Sequence, residues 1–202
     1  MDQEFEQLAR QLVSVGSQLA AKGLVPATSG NFSARLANGD MAITTSGADK
    51  GSMLLDNIMR TNTEGESYDH RKPSAETQLH VQIYRKIPDA RVVLHVHSLN
   101  GTVLSQLCPG HVVLKDYELL KVFRGIDTHA TQIDIPVFDN DQNIPRLAQK
   151  VDDYMQAQGS PVAYMIAGHG YYTWGQNFKE TLLNIEALEF LCSCELLKRR
   201  IM

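Results

Sequence analysis

His95 and His97 close the apolar run RVVLHVH. On a β-strand, side chains at i and i+2 share a face, so two imidazoles would converge there. Protonating either ring beside the other in apolar surroundings costs desolvation and repulsion, and a divalent cation removes both costs. The spacing equally fits one core histidine bonded to backbone and one exposed at a strand end. A third histidine, His169, directly follows the apolar run PVAYMIAG and sits between two glycines, where backbone can approach closely. Three such rings would close three sides of a zinc site and leave one position open. His70, His80, His111 and His129 lie in polar or helical contexts and read as surface or packing residues, with His129 leading into a strand.

Two carboxylates are candidates for proton transfer beside such a cation. Glu76 opens a helix in KPSAET, where an acid also complements the helix dipole. Glu118, in KDYELLK, is flanked by apolar residues and equally fits a solvated helix acid. Next to a Lewis acid, a carboxylate base is what proton abstraction α to a carbonyl requires. Three hydroxyl-rich turns, TSGNFS (28–33), TTSG (44–47) and PSAE (73–76), could present N–H groups and hydroxyls to a phosphate. None carries a nucleotide-binding fingerprint. Lys50 and Arg35 could add charge but read as surface residues.

The elements that must position these residues alternate along the chain. Phe5, Leu8, Leu12, Val15 and Leu19 form one helical stripe over 4–21, ended by Gly23. Phe32, Ala34 and Leu36 alternate before Asn38-Gly39, and MAITTS follows, which predicts a hairpin. Residues 62–73 read as a loop, and a helix runs from Ser74 to before Pro88. RVVLHVH is a buried strand and SLNGTVLSQL a short helix; DYELLKVF could make a helical turn or two. IDIPVF reads as a strand with an edge-type proline. A helix over 144–157 starts with Pro145 in its first turn, PVAYMIAG is a buried strand, and 178–201 is a long helix with Leu182, Ile185, Leu188, Leu191 and Cys192 inward.

At 202 residues and 43% hydrophobic, the chain suits one domain over 1–202 with a full core. A net charge of −4 announces neither nucleic acid nor an anionic membrane as partner. No apolar run reaches the roughly 18 residues of a membrane helix. The acidic opening MDQEFEQLAR lacks the positive charge of a signal peptide, so a cytoplasmic location is expected. The three cysteines, including Cys192 and Cys194 in an apolar helical run, read as buried thiols in a reducing compartment.

The ordered set SGNFS, TTSGADKG, KPSAET, LHVHSLNGTVLS and AGHGYYTWG, followed by a long E-x-x-E-F helix, resembles the class II aldolase/adducin superfamily over roughly residues 5–195. KDYELLKVFRGIDTH and IPVFDNDQNI, with KPSAET, are similar to its methylthioribulose-1-phosphate dehydratase branch. The resemblance implies a three-layer α/β/α sandwich around a mainly antiparallel sheet, a homotetramer, and one Zn2+ per subunit on His95, His97 and His169. It implies a catalytic glutamate at Glu118, the dehydratases' acid/base, or at Glu76, the aldolases' base. The resemblance also implies phosphate contacts, those of the aldolases, at Asn31, Ser46, Gly47 and Ser74, with Ser74-Ala75 standing where aldolases often carry two serines. The activity implied is zinc-dependent dehydration of 5-methylthioribulose 1-phosphate through an enediolate, in methionine salvage. A sugar-phosphate aldolase, or an adducin-like scaffold without catalysis, are the other members such a sequence would suit.

Overall fold

In the computed structural model, which describes residues 2–201, five helices pack on both faces of an eight-stranded sheet. The elements in chain order are α1 (Gln3–Ala21), β1 (Asn31–Arg35), β2 (Met41–Thr44), β3 (Ile58–Thr61), α2 (Thr77–Lys86), β4 (Val92–Val96), α3 (Leu99–Leu107), β5 (Gly110–Lys115), β6 (Gln132–Phe138), α4 (Ile144–Gln158), β7 (Ala163–Ile166), β8 (Gly170–Gly175) and α5 (Phe178–Ile201). The strand order is β3-β2-β1-β4-β8-β7-β6-β5. Among the described residues, only the β6·β7 pair is parallel.

Alternation along the central strands makes the layers. Leu94, Val96, Met165 and Tyr171 point into a core shared with α1, α3 and α5. Val93, Tyr164, Ile166, Tyr172 and Trp174 point to the other face and pack against α2 and α4. The expected sandwich around a mainly antiparallel sheet is the fold observed.

Local signals set the boundaries. The Asp2 carboxylate caps α1, Ser98 caps α3 and Asn143 caps α4. The β1–β2 hairpin turns on Asn38-Gly39, with Gly39 at φ +94°. Three strands escaped the sequence reading. β3 is only four residues long and includes Arg60. β5 is an edge strand, opposite the β3 edge, and is exposed along much of its length. β8 is buried along its whole length, so GYYTWG shows no polar alternation. Pro136 is not on an edge strand, because β6 lies between β5 and β7. The sheet tolerates it because pairing with β7 starts only at Val137. Cys194 is half-buried rather than buried, while Cys108 and Cys192 are buried free thiols.

Candidate metal and acid–base site

The site sits on the α2-facing side of the sheet and is organised by strand register. Asn31 on β1 lies opposite His95 on β4, and His95 lies opposite Tyr172 on β8. Asn31, His95 and Tyr172 therefore stand in one row across three strands, and the His95 ring stacks on Tyr172 with centroids 4.1 Å apart. His97 follows the last residue of β4 and shares the His95 face, its backbone N–H donating to Leu24 O at 2.9 Å. His169 is in the β7–β8 turn, which α3 holds: Thr102 Oγ1 donates to His169 O at 3.0 Å and Gly168 N–H to Ser105 Oγ at 3.0 Å. The next residue must be glycine, because a Cβ at 170 would overlap the Val96 carbonyl.

The sequence-distant histidines converge. The Nε2 atom of His97 lies 3.0 Å from those of both His95 and His169, which are 3.4 Å from each other. Ligand nitrogens at zinc-like distances on a tetrahedral cation stand about 3.3 Å apart, so the spacing suits one ion. His95 Nδ1 donates to Tyr171 O at 3.0 Å, which leaves its Nε2 lone pair facing the centre. Burial pushes the His95 imidazole down to about 3 and that of His97 to about 4, with the neighbouring rings adding to both shifts. Neutral, inward-facing nitrogens are the form a cation binds. The rings thus fit a metal such as the sequence implies.

Glu76 completes this cluster. It occupies the N-cap position of α2 but makes no side-chain cap bond. Its carboxylate turns to the histidines instead, with Oε2 3.3 Å from His95 Nε2 and Oε1 3.5 Å from His169 Nε2. Asn31 Nδ2 and Tyr172 OH each donate to Oε2 at 2.7 Å. Burial alone would raise this carboxyl; His95, His169, Tyr172 and Asn31 outweigh it and hold it down near about 2.

Glu118 is placed elsewhere. It starts a 3-10 turn, Glu118–Val122, whose Leu120 packs into the α5-side core. Its side chain is 72% exposed and ion-paired with Lys121 and with His129, the latter at 3.7 Å. The Lys121 hydrogen bond, then the charges of Lys121 and His129, hold its carboxyl below the usual glutamate value.

The three hydroxyl-rich turns do meet. Ser46 N–H donates to Lys72 O at 3.1 Å and Ser74 N–H to Thr44 O at 3.2 Å, which lays TTSG against KPSAE. Ser46 and Gly47 are exposed and Ser74 is half-buried. The amide of Asn31 is bonded to Glu76 and His80. Lys50 is buried, contrary to its reading as a surface residue; its Nζ bonds Thr28 O at 3.0 Å and also Ala48 O. It ties the first turn to the second through backbone carbonyls that would otherwise lack donors. Arg35 lies over the Tyr84 ring and donates to Pro88 O, at the end of β1 away from the turns. Sequence reasoning missed Tyr172, His80 and Ser29, whose buried hydroxyl lacks a partner. The Glu76-to-His80 separation of four residues, one helical turn, was the available signal for His80.

A family model for the class II aldolase and adducin N-terminal domain matches residues 10–196. The chain is 54% identical over 194 residues to a methylthioribulose-1-phosphate dehydratase of Methylococcus capsulatus, covering 96% of this chain and 95% of that one. It is 47% identical over 199 residues to the enzyme of the same name from Pseudomonas fluorescens, covering 98% and 96%. Among solved structures it resembles L-fuculose-1-phosphate aldolase from Thermus thermophilus, with a TM-score of 0.77, 24% identity and 96% of each chain covered. A histidine cluster at the end of a central strand, on this sheet and with this near-full-length similarity, places the chain in the class II aldolase and adducin family.

Proposed function

We propose that this chain is a hydro-lyase of methionine salvage that removes water from 5-methylthioribulose 1-phosphate to give the 2,3-diketo-5-methylthiopentyl 1-phosphate; its relatives are named for dehydration of methylthioribulose 1-phosphate. The observation that carries the reading is a largely buried carboxylate, Glu76, seated against three imidazoles whose Nε2 atoms converge on one point. His95, His97 and His169 would hold the cation, read as zinc from its three-nitrogen set. Bound there, it supplies Lewis acidity to the substrate carbonyl and so acidifies the adjacent C–H.

The chain's own residues then divide the work. The turns carrying Ser46, Gly47 and Ser74 receive the phosphate, with Asn31 at their edge. Glu76 removes the proton at C3, being the carboxylate at the histidines. The C4 hydroxyl leaves with a proton, the C3–C4 enol forms, and it ketonises to the diketone. Glu118, ionised on its own exposed turn, is the donor for that leaving hydroxyl once burial against a neighbouring copy's site raises its pKa and it has taken a proton from solvent. Its exposure, and the packing of its turn on the opposite face of the sheet, suit service to a neighbouring copy in a cytoplasmic homotetramer. Incubation with 5-methylthioribulose 1-phosphate, with and without chelator, tests the reading by product mass. Loss of one water from an intact carbon skeleton is expected, and release of an aldehyde fragment would overturn it in favour of an aldolase.

A further inference from the structure

Behind Glu76, a line of buried polar groups crosses from β1 to α2. Asn31 Nδ2 lies 2.7 Å from Glu76 Oε2, and Asn31 Oδ1 lies 2.5 Å from His80 Nε2. His80 Nδ1 lies 2.7 Å from Ser33 Oγ, which lies 2.8 Å from Tyr84 OH. His80 and Ser33 are fully buried, and Asn31 and Tyr84 are about as inaccessible.

The hydrogens in this line can be assigned from one end. The carboxylate at Glu76 only accepts, so the Asn31 atom facing it is the amide nitrogen. The Asn31 carbonyl oxygen then faces His80, and an oxygen there demands a donor, so Nε2 of His80 carries the hydrogen. Nδ1 is left as an acceptor, filled by the Ser33 hydroxyl, which accepts in turn from Tyr84. Reversal would require Asn31 to flip and set two acceptors against each other at the Glu76 end. Glu76 Oε2 also receives the Tyr172 hydroxyl at 2.7 Å. Two fixed donors therefore hold one oxygen of this carboxylate, while Oε1 faces His169.

We propose that His80 is a positioning residue: by fixing the Asn31 amide it anchors Oε2 of Glu76 and leaves Oε1 as the oxygen that exchanges the substrate proton. The proposal rests on Glu76 as the base. Among the described residues His80 bonds none of the histidine cluster's nitrogens; its two ring nitrogens bond Asn31 and Ser33 of the first turn, and it acts on Glu76 through Asn31.

The test compares metal-loaded wild type with His80→Met and His80→Gln. Gln carries an N–H close to the position of imidazole Nε2, whereas Met fills the space without a donor. His80→Met should retain its metal and its KM while kcat falls roughly ten- to a hundredfold, the usual loss when a supporting partner is removed. His80→Gln should recover most of that loss. Ring nitrogen NMR of the wild-type protein, which needs no variant to fold, should show His80 neutral with hydrogen on Nε2. A folded His80→Met with wild-type kcat, a His80→Gln no better than His80→Met, or hydrogen on Nδ1 alone would each overturn the proposal. Full turnover in Glu76→Gln would defeat the base reading instead, and the NMR result would still judge the anchor separately.

Discussion

His80 offers a stability measurement whose size follows from its surroundings. Complete burial pushes its imidazole from 6.5 down to about 3, against the weaker pull of the Glu76 charge. The folded pKa is depressed, so between pH 6.5 and about 3 the unfolded chain binds a proton that the folded chain refuses. The contribution is fully present above pH 6.5 and is lost as pH falls, at about 1.4 kcal/mol per pH unit. By pH 5 roughly 2 kcal/mol has gone, a sizeable part of the ~5–15 kcal/mol that holds a domain folded. His80→Gln has no proton to gain and should lack this slope. Urea unfolding of chelator-treated wild type and His80→Gln, at equal protein concentration from pH 7.5 to 5, isolates the difference. His95 and His97 titrate in the same direction in both proteins and cancel in the subtraction. The stability of wild type relative to the variant should drop by roughly 2 kcal/mol across the range. Parallel curves would mean that His80 is protonated or solvated in the fold, and the assignment of its hydrogens would fail with it.

Three other outcomes are expected. Glu76→Gln and Glu118→Gln should each keep the metal yet lose about 10²–10⁴ in kcat, and co-expressed mixtures of the two should regain activity that neither has alone; undiminished turnover of either variant removes that residue from the reaction. Chelation should abolish turnover, and added Zn2+ should restore it while raising the melting temperature, by the equivalent of about 4 kcal/mol at a free ion concentration a thousandfold above Kd; an unchanged melting curve would argue against binding at the histidines. Gly170→Ala sets a methyl against the Val96 carbonyl between β4 and β8, so it should cost about 1–3 kcal/mol and weaken metal binding by displacing His169; wild-type stability would show that the strand pair has slack.

What the sequence disclosed and what it withheld follow from the range of the interactions. The hairpin at Asn38-Gly39, α1 and α5 rest on local signals, and their expected spans match the observed ones closely. The H-x-H pair is likewise local, because strand geometry alone puts its rings on one face. β8 was hidden because a strand buried on both faces reads as an apolar run, and here it was absorbed into the turn around His169. Glu76 was a candidate base from its type and its match to the aldolases, but a first-turn acid fitted it equally, because nothing local says that its carboxylate abandons the helix end for the histidines. Lys50 misled for the same reason: its partner, the carbonyl of Thr28, is fixed by tertiary packing.

The row Asn31–His95–Tyr172 explains why the site alone does not decide between dehydration and carbon–carbon cleavage. Register places these three side chains, and Glu76 joins them through hydrogen bonds to both flanking residues. In the proposed reaction His95 and Glu76 act at the carbonyl end of the substrate, where negative charge develops in either reaction, and Asn31 and Tyr172 hold Glu76 there. The reactions part at C4: cleavage needs a base for the C4 hydroxyl proton, whereas dehydration needs an acid to help that hydroxyl leave. Selectivity must therefore come from a group outside the row. Glu118 is placed to be that group only if another copy presents it, because in its own chain Lys121 and His129 engage it on an exposed turn. Assembly would then do more than stabilise the chain. It would determine which bond breaks, and dilution to monomers should abolish dehydration before it empties the metal site.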